Sequence, residues 1–232
     1  MAFLQDNRTA PVAVACLAIA IFAGMDTVMK GLSIAIGPYN ALLWRSMIGV
    51  VVTGALYFGL RQSRLPDRRL LGLHVMRGLA AAISIVLFFW GLVRVPLAQG
   101  IALSFIAPLI GLGFAALFLK EQVTQRAITG SMLAFAGVIA IVVGQPDRAS
   151  GEQALAGSGA ILIAAVFYAV NLVISRRQSQ SAGPVEVAFF FNLVALSFFG
   201  AGAPWLAHLP AAHHFPALFL AACTSILSIM LL

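Results

Sequence analysis

At 232 residues, with 62% apolar and only 9% charged side chains, the chain falls far outside the range of a soluble domain, where ~25% are charged. Its mean hydropathy of +1.02 and its succession of apolar stretches, each near the roughly 20 residues that cross a bilayer, predict an all-α membrane protein, a polytopic bundle of about eight transmembrane helices. The net charge of +7 does not argue for nucleic acid, because the basic residues sit in short connections between apolar runs, as membrane topology requires.

In chain order, the predicted spans cover about 10–29, 39–60, 70–92, 97–119, 127–144, 157–174, 185–207 and 215–232. The first follows Arg8 but has no small-residue cleavage site before Asp26, so it reads as a retained span rather than a signal peptide. Pro38 opens the second span, where its missing N–H costs nothing. Pro108 falls inside the fourth and frees a backbone carbonyl, a break tolerated where the helix faces protein or a wet cavity. Gly111 and Gly113 of that span would let a neighbouring helix approach. The polar segment 145–156 separates two halves, 1–144 with five spans and 157–232 with three. Cys16 and Cys223 lie in different spans and read as small buried hydrophobes.

The halves share a pattern. Leu17, Ala20, Phe22 and Val28 match Leu162, Ala165, Phe167 and Val173 at one offset, Asp26 falls on Asn171, and after a one-residue slip Gly37-Pro38 falls on Gly183-Pro184. Five spans separate the two copies, and five is odd, so the second copy must insert upside down. That is the inverted-repeat plan of secondary transporters. With the N-terminus inside, inner segments carry Arg8, Arg61, Arg64, Arg68, Arg69, Lys120, Arg126, Arg176 and Arg177. Outer segments carry Lys30, Arg94 and Arg148. This asymmetry predicts a multi-pass protein of the cell (inner) membrane with a cytoplasmic N-terminus. The second half holds three spans where the first holds five, and the reading favoured for that is a fragment.

Ionisable residues inside a membrane are costly and mark function. Asp26 and Lys30 can pair at i, i+4, as an interfacial anchor or as the wall of a vestibule. Arg45 in span 2 and Arg77 in span 3 lie deep enough to face either an acidic partner or an anionic substrate group. Asp26 is the partner expected for Arg45. Gln99 and Ser104 in span 4, and Tyr168 and Asn171 in span 6, complete the expected substrate path. Glu121 ends span 4, where a carboxylate opposes the helix dipole and calls for a cation such as Arg77 or Lys120. Glu186 reads as a cap on the start of span 7. No cofactor is implied, and His208, His213 and His214 lack the Cys, Asp or Glu company of a metal site.

The arrangement F-x3-D-x3-K, then G-P and W-R, then a span ending P-L-x10-K-E resembles the EamA-type drug/metabolite transporter superfamily. That resemblance implies ten spans in two inverted repeats and the movement of small metabolites such as amino acids, nucleobases, vitamins or S-adenosylmethionine, often outward, by alternating access. It implies gating roles for Pro108 and Glu121. The chain departs from the pattern in lacking the last two spans. The partners implied are a small-molecule substrate and the lipid bilayer, and a homodimer stays open. Two other readings remain. A membrane enzyme acting on lipid-like substrates would gather acids or histidines at one membrane face, whereas Asp26, Glu121 and Glu186 are scattered. The other is a fragment that does not transport.

Overall fold

The computed structural model describes residues 9–59, 66–119, 124–143 and 151–231, and these are almost entirely helical, with no strand among them. The helices are α1 (Thr9–Ile36), α2 (Pro38–Gly59), α3 (Arg68–Leu92), α4 (Leu97–Ser104), α5 (Ile106–Leu119), α6 (Gln125–Val143), α7 (Glu152–Gln178), α8 (Pro184–Ala201), the short α9 (Ala203–Leu206) and α10 (Phe215–Leu231). Seven stretches among the described residues are long and apolar enough to cross a membrane. The expected fifth span forms as α6 but is not one of those seven.

Local chemistry sets the helix ends. Gly37 alone joins α1 to α2, at φ +82°, a left-handed conformation that costs glycine nothing. Pro38 then begins α2 with the φ a first helical residue needs. The corresponding Gly183 is extended and ends a longer connection, so the shared Gly-Pro pair serves two different turns. Asp67 caps α3 by accepting from the Leu70 N–H at 2.8 Å. Span 4 is broken into α4 and α5 at Phe105. The cause is Pro108, which has no N–H for the Ser104 carbonyl one turn earlier. Span 7 is also shorter than expected, because α8 ends at Ala201 and Pro204 lies in the separate turn α9.

Three long pairings build the bundle. α3 lies along α7, α2 along α8, and α1 along α10. The contacts show α3 and α7 to be antiparallel: Ser84 Oγ donates to the Ala164 carbonyl at 2.8 Å, and Arg77 meets Asn171 and Gln178. Near the far end of the same crossing, a Cβ added to Gly91 would come within 2.5 Å of the Gly157 carbonyl and 2.7 Å of Ile161. Only glycine lets these backbones touch. α2 and α8 also run antiparallel. The Tyr39 hydroxyl donates to the Phe199 carbonyl, and Tyr57 stacks on Phe189 at 5.1 Å. α1 and α3 run the same way, since Met25, Met29 and Leu32 share one core with Phe89 and Leu92, and Lys30 Nζ donates to the Val95 carbonyl at 2.9 Å. α1 and α7 therefore run in opposite directions.

The main core gathers Met29, Leu42, Phe89, Leu92, Phe199 and Leu218 from α1, α2, α3, α8 and α10. The outside carries exposed Val51, Leu117, Leu133 and Ile163, the side chains that lipid would cover. Phe189 and Phe190 pack between helices around Tyr57, whereas Trp90 stays outside beneath the Arg94 guanidinium, 3.5 Å from its ring centroid. Gly111 approaches Leu172 of α7, and Gly113 faces open space. The expectation of two buried thiols is corrected: both cysteines are free, but Cys16 is exposed and Cys223 half-buried.

Candidate functional site

Among the described residues, two clusters of charged and polar side chains stand out in the apolar interior. The first lies between α1 and α2. Asp26 and Arg45 are both buried, at 8% and 3% exposure, within electrostatic reach of one another, but the expected direct ion pair does not form. Arg45 Nη1 reaches only the Met25 sulfur, at 3.7 Å, and its Nε has no partner. The buried hydroxyls of Ser33 and Ser46 are likewise unpartnered. A guanidinium offers five N–H donors in a planar fork, and buried donors left empty in a native fold call for an explanation such as a bound group.

Lys30 does not pair with Asp26. It leaves its i, i+4 partner and donates to the Val95 carbonyl, bracing the end of α1 against the end of α3.

The second cluster joins α3, α7 and α8. Arg77 Nε donates to Asn171 Oδ1 at 3.1 Å and its Nη1 to Gln178 Oε1. Gln178 Nε2 meets His74 Nδ1 at 2.5 Å, and His74 Nε2 meets Glu186 Oε1 at 3.0 Å. Glu186 sits in the first turn of α8, where an acid is favoured, but it makes no capping hydrogen bond there. Tyr168, on α7, stands within electrostatic reach of both Asp26 and Arg77.

Of the remaining expected residues, Gln99 donates to Ser158 at 3.4 Å and leaves its own Oε1 unpartnered. Ser104 turns back on its helix to the Ile101 carbonyl at 2.7 Å. Pro108 is exposed on α5. Glu121, for which Arg77 or Lys120 is the expected partner, lies outside the described residues. An apolar groove of about 460 Å³ runs between α3 and α7, lined by Val86, Trp90, Ala160 and Ile163 among others, and is displaced along the pair from the charged groups.

Sequence reasoning missed His74 and Gln178. Span 6 was expected to end near 174, yet α7 continues through Arg176 and Arg177 to Gln178. The missed signal was the three-residue spacing of His74 and Arg77, which puts both on one face of α3.

A family description decides what such a bundle is: the EamA-like transporter family matches residues 9–143, more than half of the chain. The chain belongs to the EamA-like transporter family. Among its relatives, the pseudopaline exporter CntI of Pseudomonas aeruginosa is 28% identical over 191 residues, 82% of this chain and 65% of the exporter. A riboflavin transporter of Brucella anthropi is 30% identical over 166 residues, 71% of this chain and 55% of that transporter. The chain thus spans somewhat less than two thirds of the length of the curated relatives it matches. A solved crystal structure superposes with a TM-score of 0.71 at 18% identity, covering 97% of this chain and 79% of the other, a likeness of fold alone. The EamA match covers α1 to α6, so it includes Asp26, Arg45, His74 and Arg77 but not their partners on α7 and α8.

Proposed function

We propose that the chain is the transporting part of a secondary carrier that moves a small metabolite, such as an amino acid, a vitamin or a related compound, across the cell (inner) membrane by alternating access. The observation that carries the reading is Arg45, a buried guanidinium with an unpartnered Nε beside a buried carboxylate. A carboxylate-bearing substrate would take the empty donors, and a substrate amine would suit Asp26. The relatives are named for an exporter and a transporter of different compounds, which supports the reaction class and leaves the cargo to chemistry.

Two repeats of opposite orientation, 1–144 and 157–232, would supply the two half-bundles. The opposed directions of α1 and α7 support this. So do the three long pairings, which map onto one another when α1, α2 and α3 are exchanged with α7, α8 and α10. Asp26, Lys30, Arg45, Arg77, Gln99, Ser104, Tyr168 and Asn171 would line the path, and the break upstream of Pro108 would serve as a gate. Glu186 pairs with His74 far from Asp26, which favours binding over the paired-acid chemistry of an enzyme.

The test is flux in proteoliposomes with a panel of radiolabelled amino acids and vitamins. The reading expects saturable uptake of a carboxylate-bearing compound that Arg45→Ala abolishes while leaving the protein folded. Absence of flux for the whole panel, or unchanged flux in Arg45→Ala, would remove Arg45 from the path.

A further inference from the structure

The chain of side chains ending at His74 has a direction. Arg77 carries donors only, so the Gln178 oxygen must face it, as it does. The other end of the Gln178 amide, its NH2, then faces His74 Nδ1. Nδ1 must accept, so the ring proton sits on Nε2 and is donated to Glu186. One protonation state satisfies all five residues, Asn171 included: a neutral imidazole beside a carboxylate.

Adding a proton to Nδ1 sets two donors face to face. Turning the Gln178 amide over relieves His74, but it then presents the NH2 to Arg77, which has no acceptor to offer. A proton on His74 and Arg77 in its present place exclude one another. The other groups around the ring do not alter this. Phe190 of α8 stacks on it at 4.5 Å, and Tyr57 of α2 lies within electrostatic reach of Glu186. His74 is 1% exposed, while the Glu186 side chain is 16% exposed, a route for protons from water.

We propose that His74 is a proton-binding site of the carrier, coupled through Gln178 to the position of Arg77 and so to the substrate path at Asn171 and Tyr168. The proton enters from bulk water by way of Glu186 and returns there, and no other reactant is needed. The consequence for transport rests on the function proposed above, but the test needs no substrate, so the two readings fail separately.

The test uses the full chain in lipid nanodiscs with Cys16→Ser and Cys223→Ser, and with spin labels on Arg69→Cys and Ser181→Cys, exposed positions at the His74 end of α3 and just past α7. Between about pH 4.5 and 8.5, a range that brackets ordinary histidine titration, the ratio of two distance populations should change by about fivefold or more. His74→Gln should be flat across that range. Gln178→Ala should also be flat, while the 15N imidazole signal of His74 still titrates. The proposal is overturned by pH-independent distances in the parent protein, or by a response that persists in Gln178→Ala. It is also overturned by 15N spectra in which His74 stays neutral while the distances move, since the proton would then rest on Glu186. Should His74→Gln fail to fold, the parent protein and Gln178→Ala decide.

Discussion

Arg77 Nε donates to Asn171 Oδ1 at 3.1 Å, joining α3 to the position of α7 that matches Asp26 of α1. The two matched positions thus each meet an arginine, but on different terms. Asp26 lies within electrostatic reach of Arg45 without touching it. Asn171 touches Arg77 without neutralising it. A positive charge therefore remains between α3 and α7, held in place by amide oxygens.

The Asp26 and Arg45 pair lends itself to a double-variant cycle. Asp26→Leu or Arg45→Met alone leaves one buried charge without its counterpart. Each should lower stability, by less than the ~3–5 kcal/mol of a contacting pair because these groups do not touch. The double variant should recover the parent's stability or exceed it, and should not transport. Thermal unfolding in detergent reads the first outcome and proteoliposome flux the second. Single variants as stable as the parent would mean that the two charges are hydrated rather than buried.

Glycines on the bundle should divide by what they face. Gly91→Ala drives a methyl group into the Gly157 backbone and Ile161, and should cost roughly 1–3 kcal/mol through displaced packing of α3 on α7. Gly113→Ala meets nothing within 4 Å and should be neutral or gain up to ~1 kcal/mol from helix propensity. The same unfolding measurement distinguishes them, and equal behaviour would contradict the crossing at Gly91.

Orientation can be read with single cysteines and a membrane-impermeant maleimide in intact cells. His213→Cys, exposed before α10, should label from outside. Arg69→Cys and Ser181→Cys should label only after permeabilisation. The reverse pattern would invert the assigned topology while leaving the bundle intact.

Pro108→Ala supplies the N–H that the Ser104 carbonyl lacks. The helix should then run through Phe105, with amide exchange at residues 105–107 slowing by about tenfold. Flux should fall if the break is a moving part. Exchange that stays fast would assign the break to packing around α4 rather than to proline.

The membrane class, the helices and the family were legible because each rests on local or additive properties: apolar length, Gly-Pro punctuation, and the order of Asp26, Lys30, Arg45, Pro108. The charged residues of a candidate site were legible too, since charge in an apolar run is conspicuous. Their partners were not. Lys30 bonds a backbone carbonyl sixty-five residues away, Glu186 bonds His74 rather than its own helix end, and Gln178 is a helix residue set among loop-like neighbours. The i, i+4 pairing failed for Lys30, because such proximity competes with whatever the packed bundle brings closer.

Composition and apolar length alone determined that this chain is a bundle of membrane helices. Burying polar backbone in lipid leaves so apolar a sequence with little alternative to helices. Only the tertiary structure decided that the Arg45 Nε has no partner while the Arg77 Nε has one. That difference depends on which helix faces each guanidinium: α1 offers Arg45 a thioether and a carboxylate it does not bond, and α7 offers Arg77 two amide oxygens within bonding reach. Contacts between helices so far apart in the chain arise only when the bundle closes, so no local pattern records them.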